Sequence, residues 1–137
     1  INLWNLLIKN KVNPCGLAVR DILRMEMKYC LYGNDINENT NPIEAGLKWV
    51  INMDKDNFIG KKSLQNIIND SSDKKLVCFK MIDRCIPRKD YIIYDKNEKQ
   101  SGIVTSGTFS IGLNYGIGIG YINCKHSNNK IYMQFGL

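Results

Sequence analysis

The hydrophobic rhythm of this chain changes once, at the polar stretch Asn69-Asp70-Ser71-Ser72-Asp73-Lys74-Lys75, and that change limits the folds open to it. Ahead of it, apolar residues recur at helical spacing. Behind it they come in short β-branched or aromatic runs separated by turn residues such as Asp95-Lys96-Asn97-Glu98. The chain therefore reads as α+β in two parts, residues 1–71 and 72–137. Strands are expected over 76–82, 91–94, 102–106, 115–122 and 130–135, and five at this spacing argue for a small antiparallel barrel or sandwich. A length of 137 residues is about one domain's worth and can bury a core.

In the first part, Leu3, Trp4, Leu7 and Ile8 share a helical face, and Asn10 and Asn13-Pro14 end that run. A second helix is expected over 17–27, with Val19, Ile22, Leu23, Met27 and Cys30 on one face. Glu26 falls in the middle of that face. A carboxylate turned to a core costs several kcal/mol unless it is paired, roughly 1–3 even on mutational scales. Glu26 is thus expected to be buried and hydrogen-bonded, with Arg20 and Arg24, at the stripe's edge, the nearest cations. A structural ion pair and a polar pocket built on this helix both fit. Asn41-Pro42-Ile43-Glu44 carries the residues of a helix start. The helix must be short, because 47–51 alternates as a half-buried strand would. A third helix follows Gly60, with Leu64, Ile67 and Ile68 inward.

Chemistry-bearing patterns are few. Gly116-Ile117-Gly118-Ile119-Gly120 lacks nucleotide-loop spacing; glycines two apart on one strand face leave room for a neighbouring backbone or side chain. His126 is the sole histidine and sits in a polar loop, and no Ser or Cys has a histidine beside it. Asp35 and Glu38 could be paired carboxylates, but in an Asn-rich segment they read more simply as turn residues. The five cysteines are an odd count without a C-x-x-C pair, so metal spacing is absent and a disulfide framework is disfavoured. Cys30 and Cys78 read as small core residues, and free thiols favour a reducing compartment. The net charge of +6 is dispersed and mostly lysine, with no interleaved aromatics, which argues against a nucleic-acid partner. No segment reaches the roughly 18 apolar residues of a membrane span. On residues alone, Arg20 is a surface cation at the stripe's edge and Tyr29 an amphipathic rim residue.

Four ordered blocks add a resemblance. Gly16-Leu17-Ala18-Val19-Arg20-Asp21-Ile22-Leu23-Arg24-Met25-Glu26 with Leu31-Tyr32-Gly33-Asn34-Asp35-Ile36, Asn41-Pro42-Ile43-Glu44-Ala45-Gly46-Leu47-Lys48-Trp49, Asn57 through Leu64, and Gly102 through Ser110 resemble the aminomethyltransferase (T-protein) of the glycine cleavage system. The resemblance covers nearly the whole chain. It implies the end of a folate-binding (GCVT-type) α/β domain over 1–71, then an incomplete C-terminal β-barrel over 72–137. The stretch would be the C-terminal part of a larger protein, with a final strand or two missing. The implied reaction moves an aminomethyl group from the lipoyl group of H-protein to tetrahydrofolate, with release of ammonia and no metal, in the cytoplasm or, in a eukaryote, the mitochondrial matrix. The family's main catalytic aspartate belongs to its N-terminal part, so no catalytic residue is expected here and the segment alone should be inactive. The family's pocket arginine falls on Arg20 and its pocket tyrosine on Tyr29, as folate or substrate contacts. On a straight helix these two stand about 900° apart, and they can line one pocket only if the helix ends near Met27 or Lys28 or the pocket wraps its end. After Thr108-Phe109-Ser110 the family usually has proline, whereas this chain has Ile111-Gly112 and loses a fixed φ. Two other classes stay open: a folate-binding module of a sarcosine or dimethylglycine demethylase or of a non-catalytic homologue, and a basic barrel binding nucleic acid, whose affinity would fall steeply with salt.

Overall fold

The computed structural model describes residues 1–70, 73–124 and 132–133. Helices come first: α1 (Asn2–Lys9), α2 (Leu17–Glu26), a 3-10 turn (Lys48–Val50) and α3 (Lys61–Asp70). The strands β1 (Lys74–Lys80), β2 (Ile92–Tyr94), β3 (Gln100–Ser110), β4 (Tyr115–Asn123) and β5 (Tyr132–Met133) follow. They form one antiparallel sheet in the order β1-β4-β3-β2-β5. Its edges are β1 and β5, so the sheet is not closed among the described residues. His126 and most of the strand expected over 130–135 lie outside them.

The longest pairing, β3 with β4, runs from Gly102↔Ile122 to Ser110↔Tyr115. Its hairpin closes without proline because the Ser110 hydroxyl accepts the Leu113 N–H at 2.9 Å and Asn114 takes the left-handed conformation, φ 59°. The β2–β3 turn is an Asx turn, Asp95 Oδ1 accepting the N–H groups of Asn97 and Lys99. Strand alternation sends Ile117 and Ile119 to one face of β4 and Ile122 to the other. One core cluster joins Met25, Leu76, Ile117 and Ile119; the other joins Ile93, Val104 and Ile122. The expected packing role of the β4 glycines holds. A Cβ on Gly116 would stand 2.1 Å from the Cys85 carbonyl oxygen, and one on Gly118 would stand 2.2 Å from the Phe79 ring.

Several expectations for the first part need correction. α1 forms as its spacing dictates, but Leu3, Trp4, Leu7 and Ile8 are exposed. On α2 the expected stripe is turned outward: Val19, Leu23 and Met27 are exposed, while Arg24 and Met25 are buried. Periodicity reveals an apolar face but not which face meets the sheet. Met25 enters the core and Arg24 finds a carboxylate, and together they rotate the helix away from its most apolar side. Glu26 is exposed instead of buried, yet it accepts a hydrogen bond from the fully buried Ser110 hydroxyl. Cys30 packs against the first core cluster as expected, whereas Cys78 is exposed.

At residues 41–44 the helix-start chemistry is present. Asn41 Oδ1 accepts the N–H of Ile43 and Glu44, and Glu44 Oε1 accepts that of Asn41. No helix propagates, because Gly46 turns left-handed at φ +71° and the Glu44 carbonyl is taken by the Leu76 N–H at 2.8 Å. Where a strand is expected over 47–51 the chain makes a 3-10 turn, Lys48–Val50, with Trp49 77% exposed; among the described residues no neighbouring strand offers it a ladder. α3 forms as expected, with Leu64, Ile67 and Ile68 half-buried. Among the described residues no helix is long and apolar enough to cross a membrane.

Candidate functional site

α2 ends at Glu26, between Arg20 and Tyr29. After Glu26 the chain closes a Schellman motif: Lys28 N–H donates to the Met25 carbonyl at 3.1 Å and Tyr29 N–H to the Arg24 carbonyl at 2.7 Å. Lys28 occupies the left-handed position usually given to glycine, at φ 58°. Tyr29 therefore lies past the helix, and helical phase no longer separates it from Arg20. Both are exposed, Tyr29 by 58%. No hydrogen bond joins them among the described residues.

What holds this corner is a buried ion pair that the sequence reading did not single out. Arg24 is 8% exposed and Asp35 1%. The Arg24 guanidinium donates from Nε to Asp21 Oδ1 at 2.7 Å, and from Nη1 to Asp35 Oδ2 and, at 3.2 Å, to the Tyr29 carbonyl. Its Nη2 donates to Ser106 Oγ at 2.9 Å. Asp35 receives, besides Arg24, the Leu31 N–H at 2.9 Å, the Thr105 hydroxyl and the Ser106 hydroxyl at 2.8 Å. A carboxylate offers about four lone-pair sites, so Asp35 is saturated. Breaking such a pair by removing one partner strands a buried charge and costs about 3–5 kcal/mol. Here the pair also links three pieces of chain: α2, the 31–36 turn and β3.

The sheet contributes through an irregularity. In β3 the register slips between Val104 and Ser106, which pair with Gly120 and Ile119. A bulge lets two consecutive side chains serve one side of a strand, and Thr105 and Ser106 both reach Asp35. The 31–36 turn presents the carboxylate. Gly33 sits at φ +88°, and the Asp35 N–H bonds the Leu31 carbonyl at 2.9 Å. Tyr121 on β4 donates its hydroxyl to the Asp35 carbonyl at 2.9 Å. Burial, then the nearby Glu44 carboxylate, push the Tyr121 phenol up to about 12, so it stays a donor. Burial and then Asp35 raise the Cys30 thiol, which leaves it protonated and a poor nucleophile.

The expectation that Arg20 or Arg24 pairs with Glu26 is not met. Arg24 serves Asp21 and Asp35, and Glu26 serves Ser110. Asp35, expected as a turn residue, is both that and the buried anion. Its signal in the sequence was thin: an Asp between Asn34 and Ile36 in a turn-rich segment, 11 positions beyond an arginine at the edge of a stripe. Beside the end of α2 a groove of about 240 Å³ is lined by Met25, Glu26, Phe79, Lys80, Tyr115 and Ile117 among others, and Lys80 Nζ stands 5.3 Å over the Tyr115 ring. Neither Arg20 nor Tyr29 lines it.

The described residues thus form a helical segment locked by a buried arginine to a bulged antiparallel sheet. Residues 1–55 match the GCVT N-terminal domain, and residues 74–135 match the Glycine cleavage T-protein C-terminal barrel domain. The aminomethyltransferase of Flavobacterium psychrophilum is 48% identical over 116 residues, covering 85% of this chain and 32% of the relative. That of Halothermothrix orenii is 53% identical over 109 residues, covering 80% and 30%. The crystal structure of glycine cleavage system aminomethyltransferase T from Bartonella henselae superposes with a TM-score of 0.87 at 30% identity, over 95% of this chain and 37% of that one. The chain belongs to the glycine cleavage T-protein (aminomethyltransferase) family. It spans about a third of the length of the curated relatives it matches.

Proposed function

We propose that the protein containing this chain is the aminomethyltransferase of the glycine cleavage system. In the reaction, N5 and then N10 of tetrahydrofolate bond to the methylene carbon of the aminomethyl group carried on the lipoyl sulfur of H-protein. These two bonds replace the carbon–nitrogen and carbon–sulfur bonds, the N5 and N10 protons leave with the departing nitrogen and sulfur, and the products are 5,10-methylenetetrahydrofolate, ammonia and the reduced lipoyl dithiol. What carries the reading is the ordered match of both parts of the chain to one family, at about half identity to proteins named aminomethyltransferase. It is favoured over a demethylase-type folate module and over a nucleic-acid-binding barrel by the same relatives. Tetrahydrofolate and lipoylated H-protein are the proposed partners, and the cytoplasm, or the mitochondrial matrix in a eukaryote, the proposed compartment.

Arg20 and Tyr29 are our folate or substrate contacts. Arg20 offers five N–H donors in a planar fork suited to carboxylates and to heteroaromatic ring edges, and it is exposed with no hydrogen bond or ion pair among the described residues. Tyr29 offers an amphipathic ring just past the helix end. The exposed apolar faces of α1 and α2 we assign to contact with the rest of the protein, since relatives carry about three times as much chain. The test is Arg20→Lys and Arg20→Ala in the intact protein. Both should weaken tetrahydrofolate binding about tenfold or more while thermal unfolding stays nearly unchanged, because an exposed cation contributes little to stability. Unchanged folate affinity in both variants would remove Arg20 from the site.

A further inference from the structure

Tyr29 is held by one residue from both sides. Its N–H bonds the Arg24 carbonyl and its carbonyl accepts from Arg24 Nη1. The guanidinium that does this is fixed in turn by Asp35, from the 31–36 turn, and by Ser106, from the bulge in β3. Neither Asp35 nor Ser106 is exposed enough to meet a substrate: they are 1% and 4% accessible. We infer that Asp35 and Ser106 are positioning residues, which act through Arg24 to set the backbone of Tyr29 and so couple the barrel sheet to the folate-side end of α2. The inference rests on the reading of Tyr29 as a folate contact.

The chemistry makes the coupling specific. Arg24 uses its fork to reach Asp21, Asp35, the Tyr29 carbonyl and Ser106 at once, a geometry a lysine ammonium cannot copy. Ser106 passes the sheet's position on in both directions, accepting from Arg24 and donating to Asp35. It can do so only because the register slip at Thr105 brings it to that side. A displacement of the sheet by a few tenths of an ångström therefore reaches the Tyr29 peptide through two hydrogen bonds. Misplacement of a binding group by about 1 Å can cost on the order of a hundredfold.

The test compares Ser106→Ala, Asp35→Asn and Arg24→Lys with Gly116→Ala, a lesion in β4 that touches none of these groups. All are made in the intact protein, and KM for tetrahydrofolate, KM for aminomethyl-lipoyl H-protein, kcat and Tm are measured. Positioning predicts that Ser106→Ala raises KM for tetrahydrofolate by about fivefold or more and that the other two raise it further, with KM for H-protein within about twofold. Gly116→Ala should lower Tm without moving either KM. Should Asp35→Asn not fold, Ser106→Ala carries the test alone. In a second arm, Ser106→Ala is combined with Tyr29→Ala. If Ser106 acts through Tyr29, the double variant should match Tyr29→Ala within about twofold. The inference is overturned if Ser106→Ala leaves KM for tetrahydrofolate where Gly116→Ala leaves it, or if the two effects multiply. A wild-type protein that binds no tetrahydrofolate would sink the functional reading itself, and with it this one. Wild-type binding with unresponsive variants would sink only the coupling.

Discussion

Gly116 and Gly118 sit two residues apart on one buried strand, yet adding a methyl group should cost very different amounts. At Gly116 the new Cβ would meet the Cys85 carbonyl oxygen at 2.1 Å and Met81 Cγ at 2.9 Å, against an ordinary contact of 3.4 Å or more. The carbonyl must retreat by about an ångström. It belongs to a segment tied down at both ends: Met81 N–H bonds the Gly116 carbonyl at 2.8 Å, and Pro87 is fully buried. Overpacking against backbone costs about 1–3 kcal/mol, and weakening the Met81 bond adds about 0.5–1.5. Reduced backbone freedom in the unfolded chain returns about 0.4–1. Gly116→Ala should therefore lose about 2–3 kcal/mol by these estimates. At Gly118 the obstacle is the half-buried Phe79 ring, 2.2 Å from the new Cβ. A side chain can swing away at about 0.5–1.5 kcal/mol for an off-rotamer torsion, which the same unfolded-state term largely offsets, leaving a loss of about 1 or less. Urea denaturation of both variants in the intact protein measures the difference, provided the slope m is unchanged. A Gly118→Ala loss equal to or above that of Gly116→Ala would refute the argument that backbone neighbours are unyielding and ring neighbours are not.

Glu26→Ala should cost about 1–3 kcal/mol despite the exposure of Glu26, because it leaves the buried Ser110 hydroxyl proton without an acceptor; a loss below about 0.5 in chemical denaturation would show that water replaces it. Tyr121 has a raised phenol, so its contribution is present below the unfolded value of 10.0 and is lost as pH climbs through about 12. The alkaline fall in stability should be shallower in Tyr121→Phe, and an unchanged profile would count against it. The junction between the two parts is expected within residues 70–75, after α3 ends at Asp70 and before β1 begins at Lys74. Early cuts by a protease of broad specificity should fall there, and cutting first inside β3 or β4 would contradict it.

Local physics made much of this protein legible from its residues. The change of rhythm at residues 69–75 separates helices from strands because side-chain spacing and backbone period are the same fact seen twice. The β4 glycines announced close approach because nothing else leaves that space, and the turn at Asp95 was visible in its own side chain. Arg20 and Tyr29 are proposed through a family motif, and the helix stop between them, one of two ways they could line one pocket, falls at Glu26.

What tertiary structure alone decided are matters of phase, register and partner. Which side of α2 faces the sheet depended on Met25 filling a gap beside Leu76 and Ile119, and that gap exists only once the sheet is assembled. The half-stranded alternation at 47–51 could not become a strand without a neighbouring edge to pair with. Arg24 chose Asp35 over Glu26 because a slip of one residue in β3 gathered two hydroxyls around that carboxylate, 70 and 71 positions along the chain. A sequence states how often apolar and charged groups recur; only the packed chain brings distant ones within hydrogen-bond reach, where burial multiplies what they are worth.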